Sequence, residues 1–350
     1  MKREKGQIAV MVALFMLVLI ILFSLVADVG KVYLWQKKLE MATDAAALAG
    51  GQEYGLKFSS LELQSSAQDQ ARAVAIFYAG LNGADTNNVT VTFNDELNDT
   101  SPGTDQIAET VQVDATMMVP LMFAKIMGIE SKRISAQAAT RIGGATGVGG
   151  AAPWGPPPLD YQECQRYMLK RGQGSQTKVG TGLSNYSALE LPGIGPTPGA
   201  DWYRDNIIPG GKGSTVMLSV GDNIQTEPGN MVNPTGHGVN ERLSMCLHTP
   251  KCGSGGCNYI PGCPRVVIVP IMNIDQNGKY EIPILRFEAF LLDENSFDKN
   301  QEVLVDGVIQ PVGNGGVTGI YLGSYMAPSG TAGGLTGGNL GGVKVVHLIR

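Results

Sequence analysis

Residues 8–27 form a run of twenty positions in which Ser24 is the only polar side chain. Wound into a helix at about 1.5 Å per residue, such a run is about 30 Å long, the thickness of a bilayer's hydrocarbon core. A core helix of a globular domain would be shorter and amphipathic. A cleaved leader would carry an apolar region of about 7–15 residues ending in a small-x-small site. Here a cut after Ala27 would put Leu25 where a small residue is required. The expectation is a retained transmembrane helix, with the mature chain starting at or near Met1. Lys2, Arg3 and Lys5 precede the run and Lys31, Lys37 and Lys38 follow it, so basic residues alone do not orient it. The short head and the cysteine-bearing remainder favour a single pass through the cytoplasmic membrane, with the N-terminus inside and the bulk of the chain extracytoplasmic.

The helical pattern outlasts the apolar run. Val32, Trp35, Leu39, Ala42, Ala46 and Ala49 recur at spacings of three and four, a seam on one helix face, while Lys37, Lys38 and Glu40 take other faces. Ala42, Ala46 and Gly50 add a row of small residues, which lets another backbone approach closely. Residues 1–50 are therefore expected to be an anchor continuing into a stalk helix, with Ala42, Ala46 and Gly50 as its helix-packing positions.

These residues carry a family resemblance. GQIAVMVALFMLVLIILFSLVADVGKVYLWQKKLEMATDAAALAG, residues 6–50, resembles the N-terminal segment of TadE/TadG-like proteins of Flp (tight adherence) pilus assembly. The shared features are Gly6-Gln7 before the run, Asp28-x-Gly30-x-x-Tyr33 at its exit, Leu39, and Asp44-Ala-Ala-Ala-Leu-Ala-Gly50. TadE-like members carry a Glu five residues after the pilin-type cleavage glycine. Met11 stands there, so the TadG branch fits better. The resemblance implies a membrane-anchored structural or assembly component of the cell envelope. Its implied partners are the lipid bilayer and, through the N-terminal helix, other pilus-assembly or envelope proteins.

The rest of the chain reads as α+β. Residues 60–81 suit an amphipathic helix, with Leu61, Ala67, Ala71, Val74, Phe77, Tyr78 and Leu81 on its inner face. Residues 89–93, 110–119 and 131–142 suit strands, the last with Ile134, Ala136, Ala138 and Thr140 on one face, and residues 120–128 suit a short helix. Together residues 51–142 make a small α+β domain. Of the 47 glycines most follow residue 143, and residues 143–158, GGATGVGGAAPWGPPP, read as a linker. Residues 159–350 then suit a Gly-rich, mainly β extracytoplasmic domain. Its clearest signal is a hairpin of residues 265–274 and 280–293 about an Asn-Gly turn; residues 221–230 read as a solvated loop and 329–342 as a mobile one.

Chemistry is hard to find. The net charge of -5 lacks the basic footprint of nucleic-acid binding, so no nucleic-acid partner is expected. There is no G-x-S-x-G, H-E-x-x-H or G-x-G-x-x-G, and Ser175-x-x-Lys178 lacks its companion motifs. Asn273, Asp275, Asn277 and Gly278 open like a calcium loop, but Ile284 occupies the closing acidic position. No catalytic, cofactor-binding or metal-binding residues, and no enzyme activity, are expected. Cys246, Cys252, Cys257 and Cys263 are dense, with His248 among them and Cys164 apart. Their gaps of five, four and five residues are wide for the usual zinc C-x2-4-C pairs, so two disulfides among these four are expected in place of a metal. The alternative reading is an anchored extracytoplasmic enzyme or ligand-binding protein with a site that follows no motif.

Overall fold

The computed structural model describes residues 4–57, 64–96, 106–174, 186–192, 199–209, 216–227, 229–276, 278–305, 308–328, 330–332, 335–336 and 342–349. Helix α1 is Glu4–Lys57, 54 residues without a break, or about 80 Å. Leu, Ala, Lys, Glu and Met dominate residues 34–49 and are strong helix formers. Among the described residues no helix is long and apolar enough to cross a membrane. Within α1 the side chains of residues 4–9, Leu17, Ile20 and Ile21 lie outside that description. The transmembrane expectation for residues 8–27 thus stands on the sequence, and the fold adds that α1 has two unlike halves. Of the described large apolar side chains from Val10 to Val26 all but the half-buried Leu19 are exposed, and Asp28 is the first described residue of α1 that is buried.

The second half of α1 packs on helix α2 (Gln64–Leu81) through small residues. Ala42, Ala46 and Ala47 of α1 and Ala67, Ala71, Ala75 and Ala79 of α2 are buried in one cluster. A Cβ on Gly50 would lie 3.0 Å from the Ala75 Cβ and 3.3 Å from the Ala71 carbonyl oxygen. The small-residue row is therefore a helix-packing face, and the helix that fills it is α2 of the same chain. The inner face of α2 needs correcting. Phe77, Tyr78 and Leu81 are exposed, because the alanines at every fourth position face α1 and larger residues there would hold the helices apart. Leu61 lies outside the described residues.

Both helices lie against an antiparallel sheet of β1 (Val89–Glu96), β2 (Gln106–Pro120) and β3 (Ser131–Gly149). The β2–β3 register runs from Pro120 opposite Ser131 to Glu109 opposite Ile142. Ile134, Ala136, Ala138 and Thr140 are buried as their alternation predicts, and the Thr140 hydroxyl donates to the Ala47 carbonyl at 3.0 Å. The expected short helix at 120–128 is one 3-10 turn, Ala124–Met127, closed by Gly128. The last strand, Gly342–Ile349, pairs antiparallel with β3 and parallel with Ser324–Met326. Its buried Lys344 donates to the Gly55 carbonyl at 2.7 Å, near the negative C-terminal end of α1.

Residues 143–158 are no linker. Residues 143–149 prolong β3, and the residues after them are laced to the next sheet: the Ala152 amide donates to Ile268, and Met272 to Pro156. Trp154 is fully buried and donates to the Tyr203 hydroxyl at 2.9 Å. That next sheet has the order β4 (Arg166–Lys170), Val317–Tyr321, Arg286–Leu291, Val266–Ile271. All six residues of Val266–Ile271 are buried, so apolar clusters cover both of its faces. The pair Val266–Ile271 and Arg286–Leu291 is antiparallel as expected. Its connection is no tight turn, because Glu281–Pro283 detours to pair with Asn223–Thr226. Residues 221–230 thus contain a strand with Ile224 and Thr226 buried. Two helices were not foreseen in this mainly β part, α3 (Ala200–Ile207) and α4 (Val232–Ser244). In the expected mobile loop 329–342, Gly330–Ala332 pairs with β3 and Leu335–Thr336 with β2. Ser175 and Lys178 lie outside the described residues, as does Asn277.

Ala46→Leu should lower unfolding stability by about 1–3 kcal/mol, since an added side chain in the fully buried α1–α2 contact must be overpacked. Lys37→Ala, which removes an exposed pair with Glu40, should change it by less than about 1 kcal/mol. Denaturant melts of the two variants side by side check this.

Candidate functional site

Two places concentrate polar chemistry among the described residues. The first is where the two halves of α1 meet. The Asp28 carboxylate accepts three backbone N–H bonds, from Met122 at 2.8 Å, Phe123 at 3.0 Å and Ala124 at 2.7 Å. These amides open the 3-10 turn between β2 and β3, where helix-type N–H groups have no partner of their own. Lys31 donates to the Pro120 carbonyl at 2.7 Å and Gln36 to that of Ser135 at 2.9 Å, so one flank of α1 is stitched to the β2–β3 turn. Burial raises the Asp28 pKa, but the three amides and Lys31 outweigh it, and the carboxyl sits below the ordinary carboxylate value. The clamped turn presents Met122, Phe123, Ile126 and Ile129 exposed, with Met118 beside them.

The second place is the loop after α4. Cys246 and Cys252 follow the helix, and Cys263 precedes strand Val266–Ile271. His248 Nδ1 lies 3.5 Å from the Cys246 Sγ and 3.4 Å from the Cys252 Sγ, and the Cys246 and Cys263 sulfurs are 3.6 Å apart. One ligand atom from each of Cys246, His248, Cys252 and Cys263 falls within 4.8 Å of all the others; the three cysteines are buried and the histidine half-buried. Two buried arginines hold the loop by its carbonyls. Arg265 donates to Cys252 at 2.9 Å and to Leu243, and Arg242 to Pro264, Ile207 and Val266. Lys251 donates to the Cys246 carbonyl. Gly253, at φ +81°, turns the chain just after Cys252 with the Asp293 Cβ only 3.0 Å from where a side chain would begin.

The expected pair of disulfides among Cys246, Cys252, Cys257 and Cys263 is corrected. Cys257 bonds to Cys164, 93 residues away, and Cys246, Cys252 and Cys263 remain thiols. The gap rule failed because the loop folds back, bringing Cys263 to Cys246 while Cys257 points away toward Cys164. The thiols ionise unequally. Burial pushes Cys246 up, but backbone N–H groups of Cys252 and His248, with the His248 and Cys263 side chains, bring it down to about 6. Burial and the Cys252 and Cys246 sulfurs push Cys263 up to about 12, against the Arg265 amide.

The fold therefore defines a protein with one long helix, half of it uncovered and half docked on an α+β platform. Residues 6–53 match the Flp pilus-assembly TadE/G-like family, in agreement with the resemblance read from residues 6–50. No curated protein and no solved structure matches the chain.

Two outcomes are expected. Cys164→Ser, which opens a cross-link spanning 93 residues, should cost about 2–5 kcal/mol in unfolding without reductant. Asp28 titrates lower in the folded chain than in the unfolded one, so its clamp stabilises fully above about pH 4 and is lost as pH falls through the folded value. Hydrogen exchange at Met122, Phe123 and Ala124, corrected for intrinsic rates, should therefore quicken below about pH 4. Asp28→Asn should abolish that pH dependence.

Proposed function

We propose that this chain is a membrane-anchored structural component of a Flp-type pilus assembly system, of the TadG kind. In this reading residues 8–27 cross the cytoplasmic membrane and the chain from Asp28 onward is extracytoplasmic. The carrying observation is the level at which α1 changes character. Most of the described side chains before Asp28 are exposed and apolar, and at Asp28 itself the clamped turn adds Met122, Phe123, Ile126 and Ile129, also exposed. So large an apolar surface is unfavourable in water, and lipid would cover both parts of it. Lys31, Lys125, Lys132 and Arg133 surround that level, where long basic side chains suit headgroups. The Cys164–Cys257 bond suits an oxidising compartment, and the family match supplies the assembly context.

The role follows as support and contact rather than catalysis. Because the small-residue row is used internally, contacts with other assembly proteins would be made by the apolar half of α1 or by the platform's outer surfaces.

The test is extraction of the full chain from membranes. It should resist alkaline carbonate, be released by detergent, and be digested by protease added from the extracytoplasmic side. N-terminal sequencing of the extracted protein should start at or near Met1. Release by carbonate, or protection of the platform until the membrane is breached, would overturn the anchor or its orientation.

A further inference from the structure

We propose that Cys246, His248, Cys252 and Cys263 are the four ligands of a structural site for a zinc-type divalent cation. With Zn–S near 2.3 Å and Zn–N near 2.0–2.1 Å, a tetrahedral centre separates its sulfurs by about 3.8 Å and a sulfur from a nitrogen by about 3.5 Å. The observed separations are 3.6 Å between the Cys246 and Cys263 sulfurs, and 3.5 and 3.4 Å from His248 Nδ1 to Cys246 and Cys252. Three of the six edges of such a tetrahedron thus have the expected length, and the other three are within 4.8 Å.

Ordinary core packing accounts for the cluster less well. Buried thiols are common as small apolar groups, but an imidazole nitrogen lodged between two of them is not apolar packing. A second disulfide would consume two of the thiols and leave the third with the histidine, whereas all four donor atoms converge. The donor set also fixes the class of cation. Three thiolates and an imidazole are soft to borderline donors that select zinc over calcium or magnesium. Four protein ligands leave no open position, so the site is structural rather than hydrolytic.

Its place in the fold says what it would hold. Cys246 lies two residues past the end of α4, Cys263 three residues before the strand Val266–Ile271, and Arg265, between Cys263 and that strand, fixes the Cys252 carbonyl. The cation would tie α4 to the edge strand Val266–Ile271 of the second sheet through a loop rich in Gly and exposed polar residues. The Cys164–Cys257 bond anchors the same loop from its other side. The loop would thus have one covalent and one coordinate fastening, and bound metal would keep three neighbouring thiols from oxidising.

The experiment uses the full chain, purified in detergent without chelator. Elemental analysis should find one zinc per chain. Cys246, Cys252 and Cys263 should resist alkylation until a chelator is added and then label together. Cys252→Ser and His248→Ala should each lower retained zinc by more than the roughly 10–100-fold lost when only an outer partner of a ligand is removed. Cys257→Ser should keep the full equivalent. Because a ligand variant can fail to fold, the metal-free wild type is also titrated with Co2+. It should show the intense visible bands and thiolate charge transfer of tetrahedral cobalt, displaced by one equivalent of Zn2+. A disulfide joining any two of the three cysteines with no metal taken up, three thiols alkylated at once without chelator, or zinc retained equally by Cys252→Ser would each overturn the proposal.

Discussion

The second half of α1 can reach its platform only because nothing larger than a methyl group stands between it and α2. Helix axes at the close end of the usual range, about 8 Å apart, need small residues at the crossing. The alanines of both helices and Gly50 supply them. The Thr140 hydroxyl reaches the Ala47 carbonyl, and Lys344 reaches Gly55, only at the depth this contact sets. Larger side chains would lift α1 off the sheet and leave Thr140 and Lys344, both fully buried, without those acceptors.

Charge plays a different part from apolar packing in this protein, because it mostly secures backbone. Asp28 collects three amides at the start of a turn, and Arg242 and Arg265 collect carbonyls around the cysteine loop. Lys170 is buried among the carbonyls of Asn230 and Gly315, where burial lowers its pKa to about 7. In a chain with so much glycine, long loops need such fixed points, since each backbone group taken out of water must find a partner.

How far the sequence could be read depends on how local each signal is. The continuous helix, the strands β1 to β3 and the buried alternation of Ile134, Ala136, Ala138 and Thr140 follow from periodicity within one element. The inner face of α2 was misread because large apolar residues were expected inside, whereas the close contact with α1 selects alanine. The glycines and prolines of residues 143–158 look in the sequence like a free linker. Here they let the chain turn and lie close to the second sheet. α4, VNPTGHGVNERLS, hides behind residues that disfavour helices. The cysteine cluster was half legible. His248, two residues from Cys246 and four from Cys252, marks the constellation, but the approach of Cys263 depends on a fold-back that no local spacing encodes.

The last strand has a consequence for the order in which the molecule can be completed. Residues 342–349 lie between β3 and Ser324–Met326 and face α1. Gly55 and Lys344 meet although 289 residues separate them. During synthesis the helix, its companion α2 and the first three strands leave the ribosome with one sheet edge unpaired and one helix face uncovered. The residues of the second sheet must be synthesised in between before the gap can close. Long-range closure of this kind is entropically slow and leaves a strand edge exposed while it waits. The N-terminal platform is thus among the first parts made and the last part finished.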